Sequence, residues 1–267
     1  MKVYKWVLVI GVLAGIVSCR EKEQKQWDNS SANDSATAEN YFNDLFKAVD
    51  DVAGATEGIR EYEMGCIDTV IVDTLSNPKT LLIDFGQDNC VGQDGRIRKG
   101  QIYVTFTGKY RDEGTIITIT PMDYSVNGYL VEGTKTVTNM GLNTNNDPYF
   151  DVEVEGSVTA PANAYTVEWT SHRTRTWVGG SNTLTIWDDT YEITGNGSGV
   201  NRYGNPFTAE IINALRIEIG CPWIVAGSIA VTPQDGAERL IDFGNGNCNN
   251  GFSVTVNGQV YYFGTEG

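Results

Sequence analysis

Residues 165–178 (YTVEWTSHRTRTWV) concentrate the side chains best suited to recognise a ligand. Read as one extended strand, their period of two places Tyr165, Val167, Trp169, Ser171, Arg173, Arg175 and Trp177 on one face. Indole rings and planar, forked guanidiniums suit sugar rings and anionic groups, which makes Trp169, Arg173, Arg175 and Trp177 the candidate ligand-binding residues. The alternative is packing, with the tryptophans against neighbouring strands and the arginines on carboxylates such as Glu153 or Asp188. Asp-Phe-Gly occurs twice, at 84–86 and 242–244. A kinase would also need a glycine-rich loop, a strand lysine and His-Arg-Asp, whereas the single histidine lies in Ser171-His172-Arg173-Thr174. Two such aspartates form a glycosidase pair only if held about 5–9.5 Å apart. Otherwise each accepts a hydrogen bond from the turn after its strand, with the glycine supplying positive φ. Gly197-Ser198-Gly199 lacks the spacing of a nucleophile elbow. Residues 88–94 and 143–151 are dense in oxygen donors but do not follow the EF-hand order, and read as loops. No catalytic residue, metal or cofactor is assigned.

The chain has 267 residues, with 34 acidic against 19 basic side chains and a net charge of −15. Such acidity excludes generic nucleic-acid binding, because no surplus of Lys and Arg exists to replace phosphate counterions. The length suits one large all-β domain or two small ones. Six Trp, 13 Tyr and 9 Phe supply the apolar bulk that a disordered chain lacks.

Residues 1–5 carry Lys2 and Lys5, and 6–17 form an unbroken apolar or glycine run. This is the pattern of a secretory signal, too short to span a bilayer, which needs about 20 residues. Ile16-Val17-Ser18-Cys19 closes it and resembles the lipobox of bacterial lipoproteins. The resemblance implies cleavage after residue 18, a diacylglycerol and an acyl chain on Cys19, and a membrane as partner. Arg20 in place of aspartate implies the outer membrane. Arg20-Glu21-Lys22-Glu23 resembles surface-export signals of Bacteroidota lipoproteins, which implies the cell surface. Residues 19–37 then read as the lipidated cysteine and a flexible polar tether, extending to about 60 Å. Asp34-Ser35-Ala36, Asp68-Thr69-Val70 and Asp73-Thr74-Leu75 resemble the short O-glycosylation sites of Bacteroidota envelope proteins.

The spacing of Phe42, Leu45, Phe46, Val49, Val52 and Ala53 predicts a helix over 38–53, with Thr37 as N-cap and Gly54 just past its end. Its apolar stripe would pack on a single β domain over 55–267. Alternation and β-branched runs, with Asn127-Gly128 and Asn257-Gly258 as hairpin turns, predict about a dozen mostly antiparallel strands. The fold class is all-β, a meander forming a sandwich or a curled, barrel-like sheet. An internal duplication relates 63–106 to 218–264. Leu82-Ile83-Asp84-Phe85-Gly86 returns as Leu240-Ile241-Asp242-Phe243-Gly244, and Gly100-Gln101 as Gly258-Gln259. The copies read as two equivalent hairpins that open and close one sheet. Each carries two cysteines, so Cys66–Cys90 with Cys221–Cys248 is the expected pairing, Cys66–Cys221 with Cys90–Cys248 the alternative, and a four-cysteine zinc site the competitor. The chain resembles outer-membrane lipoproteins of the Bacteroidota. No assigned activity comes with that resemblance; the leading expectation is a non-enzymatic binding or structural role, with a glycan or an envelope protein as partner. A glycan-binding face built on the Trp/Arg strand is the alternative, and a carboxylate-dependent hydrolase a third.

Overall fold

The computed structural model describes residues 28–56, 58 and 65–264; residues 1–18, expected to be a signal segment, and Cys19 lie outside the described residues. The alternating pattern resolves into fourteen strands. The first are β1 (Thr69–Asp73), β2 (Lys79–Asp84), β3 (Cys90–Val91), β4 (Ile97–Phe106) and β5 (Ile116–Val126). The middle of the sheet is β6 (Tyr129–Leu142), β7 (Pro148–Thr159), β8 (Thr166–Gly179), β9 (Thr190–Val200) and β10 (Pro206–Glu218). It finishes with β11 (Ile224–Pro233), β12 (Arg239–Asn245), β13 (Phe252–Val256) and β14 (Gln259–Phe263). All join one antiparallel sheet in sequence order, with β3 alone off the path as a short partner of β4. The sheet is not closed, and β1 and β14 are its two edges.

Among the described residues one α-helix, α1 (Ser30–Thr56), precedes the strands. It touches β2, β5, β6, β7, β8, β11 and β12, so the sheet curls around it and the barrel-like arrangement is the one adopted. The apolar stripe packs on the sheet as expected, but the burial extends to the other faces of the helix: 22 of its 27 residues are buried. The helix also starts eight residues earlier than the spacing predicts, so residues 30–37 belong to the core and not to a tether. Asp28 is the cap, its Oδ1 accepting the Ser30 N–H at 2.8 Å. Thr37 is mid-helix, its hydroxyl donating to the Asn33 carbonyl at 2.8 Å. Gly54 lies inside the helix, and the chain leaves it at Gly58 (φ 69°). Ser35, in one of the glycosylation-like triplets, is fully buried, while Thr69 and Thr74 are exposed.

The duplicated segments occupy the two ends of the strand order, but only their first hairpins correspond. β1 pairs with β2 as β11 pairs with β12, with Thr69 opposite Asp84 and Ser228 opposite Asp242. The third strands differ. Lys99-Gly100 continues β4 through a bulge, where Gly100 (φ 84°) approaches Asp123 so closely that a Cβ would sit 2.2 Å from its carbonyl oxygen. The aligned Asn257-Gly258 instead makes a two-residue turn, both residues at positive φ, between β13 and β14. β2 therefore pairs with the segment after its glycine, and β12 with the segment before it. Asn127-Gly128 forms the expected turn between β5 and β6.

Cysteines pair within copies: Cys66 with Cys90 and Cys221 with Cys248, at Cα separations of 5.6 and 5.7 Å. That pairing removes the four-cysteine zinc site. The bridges close loops of 24 and 27 residues, each stabilising by about 3–4 kcal/mol in the chain-entropy account. Replacing either pair by serines is expected to lower stability in urea by that amount, and by similar amounts for the two. A change under about 1 kcal/mol in either would show that the unfolded chain is not constrained by that bridge.

Candidate functional site

Strand β8 keeps its alternation along almost its whole length, so the Trp/Arg face exists. It points inward. Trp169, Arg173, Arg175 and Trp177 are 1–3% exposed, which overturns their assignment as an exposed ligand-binding face. Their contacts are with the helix and the facing strands. Arg173 donates to Glu39 at 3.0 Å and Arg175 to Asn43 at 3.4 Å, so the carboxylate partner is on α1 and not Glu153 or Asp188. The Arg175 guanidinium lies 3.5 Å from the Phe46 ring centre. Trp177 stacks on Tyr191 and lies beneath the Arg111 guanidinium. Trp169 stacks on Phe207 and occupies the room left by the glycines of β9: a Cβ on Gly197 would lie 3.0 Å from its indole.

The rest of the interior repeats this chemistry. Asp44 on α1 accepts from Arg98 Nη2 at 2.5 Å and from Tyr124 at 2.6 Å, and pairs with Arg96 at 2.9 Å. Burial raises its pKa, but Arg98 and Arg96 outweigh that and hold the carboxyl well below the usual range. Asp34 pairs with Arg202, and Asp50 accepts from Tyr110 at 2.5 Å. Lys135 donates to the Phe42 carbonyl at 2.7 Å and Lys47 to the Cys221 carbonyl. Burial, helped by Arg96, pushes the Lys47 ammonium down to about 7. These cations escaped the sequence analysis, although a signal was present. The apolar parity of Ile102 and Val104, extended backward along β4, reaches Arg98 and Arg96, and that of Val131 and Val137 brackets Lys135.

Both Asp-Phe-Gly aspartates serve their turns. Asp84 accepts from Gly86 N–H and Asp242 from Gly244 N–H, each at 2.8 Å, with both glycines at positive φ. They sit on β2 and β12, near opposite ends of the strand order. The two oxygen-rich segments are largely engaged as loops. Asp94 is bound to Arg98, and Asn143 Oδ1 accepts from the Asn145 and Asp147 N–H groups.

With the Trp/Arg face of β8 filled by the helix, a concavity for a ligand is found on the opposite face of the sheet. A groove of about 670 Å³ crosses the outer face of β6–β11, lined by Thr136, Glu153, Glu155, His172, Asn196 and Glu210 among others. The outward positions of β8 read Thr166, Glu168, Thr170, His172 and Thr174, side chains that face water. In this face His172 Nε2 lies 2.6 Å from Asp151 Oδ1. Register explains the meeting: Asp151 and Glu153 alternate on β7, and Glu153 is directly opposite His172 on β8. The pair resembles two parts of a catalytic triad, but of the serines lining the groove Ser171 is on the buried parity of β8, and Ser198 is paired across from Thr170 and not from His172. Among the described residues no helix is long and apolar enough to cross a membrane. Comparison with protein families, with curated proteins and with solved structures finds no match to this chain.

Proposed function

We propose that this chain is a membrane-anchored lipoprotein of the cell envelope, in the outer membrane and displayed at the cell surface. In this reading its β domain has a non-enzymatic binding role, and the outer groove over β6–β11 is its ligand-facing surface. The observation that carries the binding half is the filling of the inner face by α1. With Trp169, Arg173, Arg175 and Trp177 engaged on the helix, that inward face is closed to a ligand, whereas the polar groove is a concave surface open to solvent. The anchoring half is supported by the lipobox-like residues 16–19. Because Asp28 already caps the helix, only eight residues, 20–27, separate it from Cys19, a reach of about 30 Å at full extension. The domain is then held close to the bilayer rather than on the longer tether expected from composition.

Expression of the natural chain and of Cys19→Ser with a clickable palmitate analogue tests the anchor. The natural chain is expected to be labelled and to sediment with membranes. Cys19→Ser should lose the label, retain residues 1–18 by mass, and no longer partition into detergent as a lipidated protein. Equal labelling of both chains would overturn the anchor. Protease treatment of intact cells, with a periplasmic protein as leakage control, tests surface exposure through loss of the β domain.

A further inference from the structure

We propose that Asp151, Glu153 and His172 form a binding site for a divalent transition cation of the zinc type, at the groove over β6–β11. The proposal deepens the binding-module reading by naming a ligand class for its groove. Four features carry it. First, three donors of two chemical kinds are brought together by strand register alone: two carboxylates at i and i+2 on β7, and an imidazole on β8, directly across from Glu153. Their ligand atoms lie within 4.8 Å of one another. Tetrahedral zinc with ligands at about 2.0–2.2 Å needs donors about 3.4 Å apart. Rotation of three side chains on a fixed sheet supplies the remaining closure.

Second, the donor set selects the metal. Calcium takes six to eight oxygen ligands, and this trio supplies only two carboxylates beside a nitrogen. Imidazole with carboxylates suits zinc and its neighbours, and three protein donors leave a fourth position for water or a ligand group. Third, that fourth position has room, because Glu153 and His172 both line the groove. Fourth, the charge is right. Two carboxylates balance a dication, and Glu155 and Glu210 in the same groove add negative potential. In the structure Asp151 Oδ1 already lies 2.6 Å from His172 Nε2, so these two donors are brought together before a metal arrives.

His172 is the chain's only histidine, so its ring signals in the NMR spectrum of the untagged protein report on the site directly. Addition of zinc chloride alone is expected to shift those signals and saturate at one equivalent, with a rise in melting temperature. Calcium chloride at the same concentration should leave them in place. Asp151→Asn and Glu153→Gln should each weaken zinc binding at least tenfold, and His172→Ala should abolish the melting shift. All three side chains are at least partly exposed, so the variants keep the fold. The proposal is overturned if the ring signals do not respond to millimolar zinc, or respond equally to calcium. An unchanged affinity in the Asp151→Asn, Glu153→Gln double variant would also overturn it. Membrane attachment is read separately by Cys19→Ser, so failure of the metal site leaves the lipoprotein reading standing, and the reverse.

Discussion

Asp44→Ala is expected to destabilise the protein by about 3–5 kcal/mol, because it leaves Arg96 and Arg98 buried with their shared counter-ion removed. The cost comes from stranded charge more than from lost attraction. Arg98 keeps Asp94, at 2.6 Å, whereas Arg96 loses the carboxylate it pairs with and Tyr124 the one it donates to. Pairing Asp44→Leu with Arg98→Met should therefore lose clearly less than the sum of the two single changes, which urea unfolding of the four proteins measures. The pH dependence has a definite sign. The folded carboxyl lies below its unfolded value of 3.8, so the unfolded chain takes up the proton first as pH falls. Asp44 thus contributes its full stabilisation above about pH 5, and loses it progressively as the solution is acidified through and below pH 4. Asp44→Ala should flatten that part of the acid-unfolding curve. If the variant unfolds within about 1 kcal/mol of the natural protein, the buried ionic centre does not hold the helix as described.

Removal of α1 is expected to be more severe still. Phe42, Leu45, Phe46, Val49 and Val52 are each at most 4% exposed. At about 2 kcal/mol for each buried side chain, their loss approaches the 5–15 kcal/mol by which domains are stable at all. The emptied sheet would also face its own Arg96, Arg98, Lys135, Arg173 and Arg175 without the helix carboxylates and carbonyls that now accept from several of them. A chain beginning at residue 65 should show no cooperative melting and no near-ultraviolet dichroism. A synthetic peptide of residues 28–56, added in trans, should restore both. A truncated chain that melts cooperatively at the natural temperature would defeat this account. It would also turn the Trp169/Arg175 face back into a chamber open to ligand.

Much of the architecture was legible locally. Alternation marked the strands, Asn-Gly marked two hairpins, and the repeated Gly-Cys and Leu-Ile-Asp-Phe-Gly segments marked the ends of the sheet and their cysteine pairs. The shared face of β8 followed from its period of two, and so did the turn-binding role of Asp84 and Asp242. These are properties of backbone sterics and neighbours a few residues away, which a sequence encodes directly.

Which side of that face meets solvent was decided only by the tertiary structure. An indole and a guanidinium alternating along a strand suit a glycan as well as they suit a helix bearing Glu39 and Phe46, and only the curl of the sheet around α1 selects the second. The early start of α1 has the same origin. Residues 30–37 are polar and look solvated until Arg202 and Asn201, some 170 residues away, supply partners to Asp34, Ser30 and Ser31. His172 has no partner motif in the sequence around it, and only the register of β7 against β8 places Asp151 and Glu153 beside it. Periodicity is local and survives in one dimension. Charge pairing and concavity are set by contacts between distant segments, and the chain acquires them only on folding.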